Sequence, residues 1–357
     1  MNVRLNLPRT MFITNSLTGG GAERATNILV NALSDAGTPV SLITINYSAA
    51  DLIIPRCEVF ELNRPWQGGL RTLLTAYFQV RVIVKNWSPQ VIVLNCDAPE
   101  LLGALLLGKH TKVVVEHASQ PWGTRKSLGR IVRLILKFRH ARWIAVSSHL
   151  SIWPNNSAPE TWINNAIAKK IDKIKVDASE RQTKSDHKIC RLVYIGRLSE
   201  EKQPGWVLEI AEQTGLPAIF FGEGRLRHFL SNECGQAGVV AQFPGFVTDP
   251  WDSITTGDLL IIPSVFEGDG LVLVEALMHQ VPLLVNAIPD LLRFDLANRN
   301  YCDSPSQFIQ RINEYSENLL ELQVPNETCL KILEERLPEK VSAKWIDFLI
   351  SLKTSNL

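Results

Sequence analysis

The sequence predicts an α/β fold made of two Rossmann-like domains, and three observations support this prediction. The chain has 357 residues, which exceeds the usual size of one domain. In each half, short apolar segments alternate with helical periodicity, a pattern typical of parallel sheets covered by helices. Between the halves, residues 169–188 are mostly polar or charged. We predict domains over 1–168 and 189–339, the linker between them, and a final helix over 340–357 that could cross back to the first domain.

The individual elements follow from the period of their apolar residues. In the first half, strands are expected at 11–13, 40–45, 91–94, 113–115 and 143–146, and helices at 23–35 and 70–85. In the second half, strands are expected at 192–195, 218–221, 239–243, 259–262 and 282–285, and helices at 205–213, 225–237, 271–278 and 340–352.

Composition excludes several classes of function. The chain has 37 basic and 36 acidic residues, so its net charge of +1 gives no reason to expect a nucleic-acid partner. The six cysteines are scattered and lack the spacing of a zinc site, which fits a reducing compartment. No apolar segment reaches the roughly 18 residues that a membrane-spanning helix needs. We therefore expect a cytoplasmic protein, either soluble or bound peripherally to a membrane.

Two carboxylates flank a glycine turn in the segment from Ser264 to Glu275. Glu267 lies on the predicted loop, and Glu275 lies within the helix that is expected to start near Leu271. Gly270 permits a tight turn, and the free backbone N–H groups of a helix start can hold anionic or polar groups of a ligand. From spacing alone, an ordinary strand–turn–helix with solvated glutamates is an equal alternative.

Two cations follow the strand predicted at 192–195. Arg197 and Lys202 suit a diphosphate, because arginine can form two parallel hydrogen bonds and lysine supplies a point charge. Taken alone, such a pair is more often simply two exposed surface cations.

A third turn, Gly19-Gly20-Gly21, follows the first strand and opens a helix. It would let a ligand approach the backbone closely, but it does not complete the Gly-x-Gly-x-x-Gly pattern of dinucleotide-binding folds.

Together these segments resemble the GT-B glycosyltransferases, specifically glycosyltransferase family 4. Glu267 and Glu275 match the Glu-x7-Glu signature, and Arg197 and Lys202 match the Gly-Arg-Leu-x-x-x-Lys motif. The resemblance implies that Glu267 contacts the donor sugar, Glu275 holds the nucleotide ribose, and the two cations stabilise the leaving diphosphate. Asp269 departs from the pattern, because an apolar or aromatic residue is common there, and it would add a charge beside the sugar.

Further matches extend the implied donor site across the second domain. Gly222 and Gly224 resemble a glycine turn near the nucleotide, and Phe246 and Val247 resemble the segment that meets the base. The run Gly270-Leu271-Val272 between the two glutamates is also typical of the family.

The resemblance assigns the acceptor side to the first domain, across a central cleft. The glycine turn Gly19–Gly21 would lie against the donor phosphates and the acceptor. His117, which follows the strand at 113–115, would lie in the acceptor cleft near the transferred sugar. A lone histidine is otherwise more often structural. Asp97 and Glu116, at strand ends, are weaker cleft candidates.

The implied reaction is transfer of a hexose-type sugar from a UDP- or GDP-sugar, with retention of configuration and with no metal or further cofactor. A saccharide or lipid-linked acceptor in bacterial lipopolysaccharide, O-antigen or capsule synthesis is expected. Three alternatives stay open: a nicotinamide dehydrogenase, a GT-B sugar-nucleotide epimerase and a non-catalytic sugar-binding relative.

A basic helix is predicted between Arg125 and Arg142, a segment with seven cations and no acidic residue. Helical spacing puts four cations in one stripe and four apolar residues in the opposite stripe. The stripes are Lys126, Arg130, Arg133 and Lys137, and Leu128, Ile131, Ile135 and Phe138. The helix could be an ordinary amphipathic helix packed on its own domain, or a surface helix attracted to an anionic membrane.

Overall fold

The computed structural model describes residues 7–17, 20–47, 55–65, 69–118, 121–168, 188–322 and 327–354. Gly19 of the predicted glycine turn, and the predicted linker apart from Lys188, lie outside these ranges. The chain divides into two compact units, one formed by Met1–Ala168 with Glu335–Leu357 and the other by Lys169–Glu334. The C-terminal segment therefore belongs to the same unit as the N-terminal half.

The first unit is a parallel α/β sheet structure. Its elements in chain order are β1 (Thr10–Thr14), α1 (Gly21–Asp35), β2 (Val40–Asn46), β3 (Glu58–Arg64), α2 (Leu70–Trp87), β4 (Val91–Asn95), α3 (Asp97–Leu105), β5 (Thr111–Glu116), α4 (Lys126–Phe138), β6 (Arg142–Ala145) and β7 (Thr161–Trp162). The strands pair in the order β3-β2-β1-β4-β5-β6-β7, and each pairing is parallel.

Helices cover both faces of this sheet, which explains why its central strands are apolar throughout. On one face, α1 packs together with the C-terminal helix of the chain, Pro338–Thr354. The ring of Trp345 on that helix lies 5.5 Å from the ring of Phe12 in β1. On the other face, α2, α3 and α4 form a second core with residues such as Val80 and Leu136. Each such buried side chain contributes about 1.5–3 kcal/mol.

The second unit has the same architecture with a shorter sheet. Its elements are β8 (Arg191–Ile195), α5 (Pro204–Thr214), β9 (Ala218–Phe221), α6 (Arg227–Gln236), β10 (Ala241–Gly245), β11 (Asp258–Ile262), α7 (Leu271–Met278), β12 (Leu283–Asn286), α8 (Pro289–Leu292), β13 (Tyr301–Cys302), α9 (Pro305–Glu314) and α10 (Glu327–Glu334). The Pro338–Thr354 helix of the first unit is then α11. The strand order is β10-β9-β8-β11-β12-β13, again with parallel pairings.

Local sequence signals set the helix ends in this unit. Helix α5 begins at Pro204, where the missing N–H of proline costs nothing because the first turn has no intrahelical acceptor. The helix is followed by Gly215 in the left-handed conformation, with φ +69°. The fold class predicted from sequence, two parallel-sheet α/β domains, is confirmed. Strands β3, β7 and β13, and helices α3, α8, α9 and α10, are additional to the predicted elements.

Helix α4 differs from its predicted arrangement. Arg133 does not share an exposed stripe with Arg130 and Lys137, because its side chain is only 3% exposed. The apolar residues Ile131 and Phe138, which the spacing placed on the opposite stripe, are exposed. The buried face is formed by Gly129, Val132, Arg133 and Leu136. Helix α4 therefore presents to solvent a mixed surface of apolar side chains and cations.

Arg133 is buried because two carboxylates from neighbouring elements surround its guanidinium. It forms 2.6 Å ion pairs with Glu100 on α3 and with Glu116 at the end of β5. Trp122 Nε1 donates to Glu100, and the backbone N–H of Trp153 donates to Glu116. Burial raises the pKa of Glu116 to about 7, while Arg133 acts in the opposite direction. We call Arg133, Glu100 and Glu116 the Arg133 cluster.

Within the ranges given above, none of the helices combines the length and the apolar character that crossing a bilayer requires.

Candidate functional site

The second sheet has one position where ligands are expected. In the order β10-β9-β8-β11-β12-β13, the chain adds strands to one side of β8 first and then to the other side, starting with β11. The direction of winding therefore reverses between β8 and β11. In open parallel sheets, the crevice at the carboxyl ends of such a pair is the usual ligand-binding position. The predicted residues Arg197 and Lys202 follow β8, and Glu267 follows β11. The topology therefore brings the cationic and the acidic motifs to one edge of the sheet.

Lys202 and Glu267 are in direct contact at this edge. Lys202 Nζ lies 2.7 Å from Glu267 Oε1, and Ser264 Oγ donates a 2.7 Å hydrogen bond to the same oxygen. Lys202 Nζ also donates to the Phe266 carbonyl oxygen, at 3.5 Å. The two side chains keep 24% and 14% of their surface exposed, so both remain within reach of a ligand.

Arg197 lies on the same loop as Lys202 but is held less firmly. Its guanidinium is 3.9 Å from Glu201 Oε1, and its side chain is 65% exposed. Its backbone is better fixed, because the buried Tyr194 hydroxyl donates a 2.7 Å hydrogen bond to the Arg197 carbonyl oxygen. Arg197 therefore combines an anchored backbone with a solvent-facing cation.

The loop that carries Glu267 is fixed by side chains from the following strand and helix. The backbone N–H of Glu267 donates to Asp290 Oδ2 at 2.7 Å, and Asn286 Nδ2 donates to the Ser264 carbonyl oxygen at 3.0 Å. These bonds orient the loop without using the Glu267 carboxylate, which is left to contact Lys202 and Ser264.

Asp269, which the resemblance places beside the donor sugar, has a cationic partner within the protein. Its side chain is buried and pairs with Arg293, whose Nη2 lies 3.2 Å from Asp269 Oδ1 and 2.8 Å from the Asp269 carbonyl oxygen. The guanidinium of Arg293 also lies over the Phe294 ring. The negative charge of Asp269 is thus compensated by Arg293, which follows α8.

Helix α7 begins immediately after this loop. Gly270 precedes it with φ +64°, and a Cβ at that position would lie 3.1 Å from the Phe294 ring. Glycine is therefore required by both the backbone angle and the packing. Leu271 and Val272 are half-buried in the first turn, where backbone N–H groups have no intrahelical acceptor.

Glu275 lies one turn further along α7 and has an aromatic partner. Trp251 Nε1 donates to Glu275 Oε2 at 2.9 Å, and the Trp251 ring stacks on His279 with centroids 5.1 Å apart. Trp251 is buried. Sequence reasoning missed Trp251, because it lies in a short 3-10 helix, Pro250–Ser253, that matches no motif.

Gly222 and Gly224 are required by the packing of two loops. A Cβ at Gly222 would lie 2.0 Å from the Gly196 carbonyl oxygen, and one at Gly224 would lie 2.3 Å from the Leu198 carbonyl oxygen. Both glycines also have φ above +130°. They bring the loop after β9 against the loop that carries Arg197.

Phe246 and Val247 follow β10 at the same edge of the sheet. The Phe246 side chain is exposed, and Val247 is half-buried. The donor-site residues predicted in the second unit thus all follow strands β8 to β11 at their carboxyl ends, or lie on the helix after β11.

The first unit has its own reversal of strand order, between β1 and β4. Gly20 and Gly21 follow β1 and begin α1, and Gly20 has extended backbone angles that any residue can adopt. His117 Nε2 lies 3.3 Å from Asn95 Oδ1, and Asn95 Nδ2 donates to Thr26 Oγ1 at 2.8 Å. His117 is therefore linked through β4 to α1.

The two weaker candidates of the first unit are occupied by ion pairs. Glu116 is buried in the Arg133 cluster, so the expectation that it faces an open cleft is wrong. Asp97 pairs with Arg125 at 2.6 Å.

Residues 175–324 match the family model described as glycosyl transferases group 1. The matched segment contains Arg197, Lys202, Glu267 and Glu275. An uncharacterised glycosyltransferase of Methanocaldococcus jannaschii is 29% identical over 111 residues, a match that spans 28% of each protein.

Solved structures resemble the chain over nearly its whole length. Anabaena HepE in complex with UDP and glucose has a TM-score of 0.70 and 17% identity, over 96% of this chain and 99% of that one. Sucrose-phosphate synthase of Thermosynechococcus elongatus has a TM-score of 0.74 and 15% identity, over 97% and 99%. The chain has the GT-B fold, and the family match over residues 175–324 supports glycosyltransferase activity.

Proposed function

We propose that the protein is a retaining glycosyltransferase that moves a hexose-type sugar from a UDP- or GDP-sugar without a metal or further cofactor. The observation that carries the proposal is the Lys202–Glu267 ion pair at the β8–β11 edge. The pair lies inside the segment that matches the glycosyl transferases group 1 model.

The proposal gives Lys202 and Arg197 the donor diphosphate. Negative charge builds up on the leaving diphosphate in the transition state, and fixed cations lower its energy. Glu267 pairs with Lys202 at 2.7 Å. A bound diphosphate would supply a second anionic partner for Lys202, and the Glu267 carboxylate would accept a hydrogen bond from a sugar hydroxyl. The exposed Arg197 can turn to the diphosphate at little cost, because its only ion pair is a long one of 3.9 Å among the described residues.

The remaining donor contacts follow from position on the sheet edge. Glu275, held by Trp251, would accept hydrogen bonds from the ribose hydroxyls. Phe246 offers an exposed aromatic face to the base. The backbone N–H groups of Leu271 and Val272 would contact polar groups of the donor.

The acceptor is proposed to meet the first unit, at His117 and the glycine turn Gly19–Gly21. We propose a saccharide or a lipid-linked saccharide as acceptor, within bacterial surface polysaccharide or lipopolysaccharide synthesis. Exposed Ile131 and Phe138 on α4, beside Arg130, support contact with an anionic membrane surface. This would make the enzyme a peripheral protein of the cytoplasmic face.

The test is incubation with a panel of UDP- and GDP-sugars and candidate acceptors, with products followed by mass spectrometry. Free UDP or GDP together with a glycosylated acceptor supports the proposal, and the anomeric coupling constant of the product by NMR tests retention. An isomerised donor would indicate an epimerase. Donor binding without turnover across the panel would indicate a sugar-binding relative.

Two variants connect that activity to the site. Lys202→Ala and Glu267→Ala should each lower kcat by about 10²–10³, the usual cost of losing one group that stabilises transition-state charge. Lys188→Ala is the matched control, because Lys188 is exposed and its ion pair with Glu317 is long, at 3.8 Å. Near-normal turnover in both site variants would reject the assignment.

A further inference from the structure

A groove runs along the amino-terminal edge of the first sheet, at the opposite ends of the strands from Asn95 and His117. Its volume is about 700 Å³. The floor includes Val91 and Thr111, the first residues of β4 and β5. Its walls come from the end of α2, the loop after α3 and the end of α11. Every lining residue belongs to the first unit.

The groove is cationic. Arg81 and Lys85 on α2, Lys109 before β5 and Lys353 on α11 line it, and none of its described lining residues is acidic. Cations commonly balance the partial negative charge of a helix C-terminus, which accounts for Lys85 and Lys353 in the last turns of their helices. Arg81 lies before the last turn, and Lys109 lies outside any helix. Dipole compensation therefore explains half of the positive charge.

The groove also has an apolar rim. Leu106 is buried in its wall, whereas Leu107 is 76% exposed. Val82 and Leu105, next in sequence to lining residues, are exposed as well. Leu107 therefore buries little apolar surface against the rest of the unit.

The loop that presents Leu107 continues into Gly108, a position that favours glycine. Gly108 has φ +148°, and a Cβ there would lie 2.4 Å from the His110 ring. Burial lowers the pKa of His110 to about 4, so this ring packs as a neutral group and adds no charge to the groove. The groove therefore combines four cations with a solvent-facing leucine.

We propose that this groove binds the phosphate headgroup of an anionic membrane lipid, with Leu107 at the start of the acyl region. Several cations without a carboxylate match a phosphate group. The exposed leucine favours a lipid over a free phosphate, because it gains stabilisation only when a hydrocarbon covers it. This site is separate from the proposed transfer reaction, and it does not involve α4.

The test is vesicle co-sedimentation of the full chain at about 0.1 M salt, with vesicles of phosphatidylcholine alone or mixed with phosphatidylglycerol. The groove variant is Arg81→Gln/Lys85→Gln/Lys109→Gln. We expect the wild-type protein to bind the mixed vesicles and the groove variant to bind them on the order of 100-fold more weakly, since each cation near an anionic surface contributes about a factor of five.

The matched control removes the same charge elsewhere, with Arg56→Gln/Lys331→Gln/Lys344→Gln at three sites that are also exposed. At moderate salt, charges more than about 10 Å from the lipid are screened, so this control should bind as the wild type does. Leu107→Gln should weaken binding about tenfold, whereas Val240→Gln, a similarly exposed apolar residue of the second unit, should not.

Four outcomes would overturn the proposal. The first is that the wild-type protein does not bind the anionic vesicles, and the second is that the groove variant and the charge control lose binding equally. The third is that the groove variant binds as the wild type does, whereas Ile131→Gln/Phe138→Gln on α4 abolishes vesicle binding. The fourth is displacement of the vesicles by millimolar inorganic phosphate together with normal binding of Leu107→Gln, which would make the groove a free-phosphate site. None of these readouts uses sugar transfer, so failure here and failure of the proposed reaction are distinguishable.

Discussion

Trp251 Nε1 donates a 2.9 Å hydrogen bond to Glu275 Oε2, and this bond fixes the rotamer of the carboxylate that we propose as the ribose ligand. The Trp251 ring is itself held by stacking on His279. Trp251 is therefore a positioning residue, which acts on the donor through Glu275.

Replacement of Trp251 by Phe should raise the KM for the donor about three- to tenfold and leave kcat nearly unchanged. Phenylalanine keeps the stacking on His279 but loses the N–H donor, and a hydrogen bond to a charged group contributes about 1.5–3 kcal/mol at most. Steady-state kinetics with the donor varied provide the measurement. Trp206→Phe is the control, since Trp206 packs on Phe308 within the core. A fall in kcat without a change in KM would contradict the positioning role.

Gly222→Ala should destabilise the second unit by more than about 2 kcal/mol, because the new Cβ would lie 2.0 Å from a backbone oxygen and the residue has φ +136°. Gly235→Ala is the matched control. Gly235 lies in α6, where a Cβ meets nothing within 4 Å, so alanine should stabilise the unit by up to about 1 kcal/mol. Urea unfolding of both variants gives the two values. Equal stability of the two variants would show that the loops can separate without cost.

Arg133→Met should lower the free energy of unfolding of the first unit by about 3–5 kcal/mol. The substitution keeps the volume but leaves Glu100 and Glu116 buried together without a cation. Lys137→Met on the same helix is the control and should change stability by less than about 0.5 kcal/mol, because Lys137 is exposed. Similar values for the two variants would mean that the Arg133 cluster is solvated in solution.

The stability of the first unit should also depend on pH through Glu116. The pKa of this carboxyl is raised from 4.5 to about 7 in the folded protein. The folded state therefore binds more protons than the unfolded chain between these two values, so the stabilising contribution is complete below pH 4.5 and is lost as the pH rises through 7.

Glu116→Gln tests this dependence, because glutamine imitates the protonated carboxyl at all pH values. Between pH 5 and pH 8 the wild type should lose on the order of 1–3 kcal/mol relative to the variant, as measured by urea unfolding. Parallel pH profiles for the two proteins would show that Glu116 titrates normally.

Much of this architecture is readable from sequence, because apolar periodicity reports which residues share a face. It does not report which face is covered. On α4 the spacing groups Arg133 with Arg130 and Lys137, yet Arg133 faces inward. Its two partners, Glu100 and Glu116, come from other elements, and no local pattern encodes that meeting.

The site shows the same limit. The motifs located Lys202 and Glu267 near one another, since the carboxyl ends of neighbouring parallel strands share an edge. The role of Asp269 was not readable, because its partner Arg293 lies in a different segment with no motif of its own. Gly222 lies in a turn that was expected to contact the nucleotide. In the structure, glycine is required there because a Cβ would collide with the Gly196 carbonyl oxygen.

The packing of Trp345 on Phe12 has a consequence for biosynthesis. Helix α11 covers one face of the first sheet, but it is translated after the whole second unit. While the ribosome synthesises residues 169–334, the apolar side of α1 and β1 lacks its cover. The first unit therefore completes its fold only after α11 has been synthesised, and its nascent form before that point is the stage at which a chaperone would find exposed apolar surface.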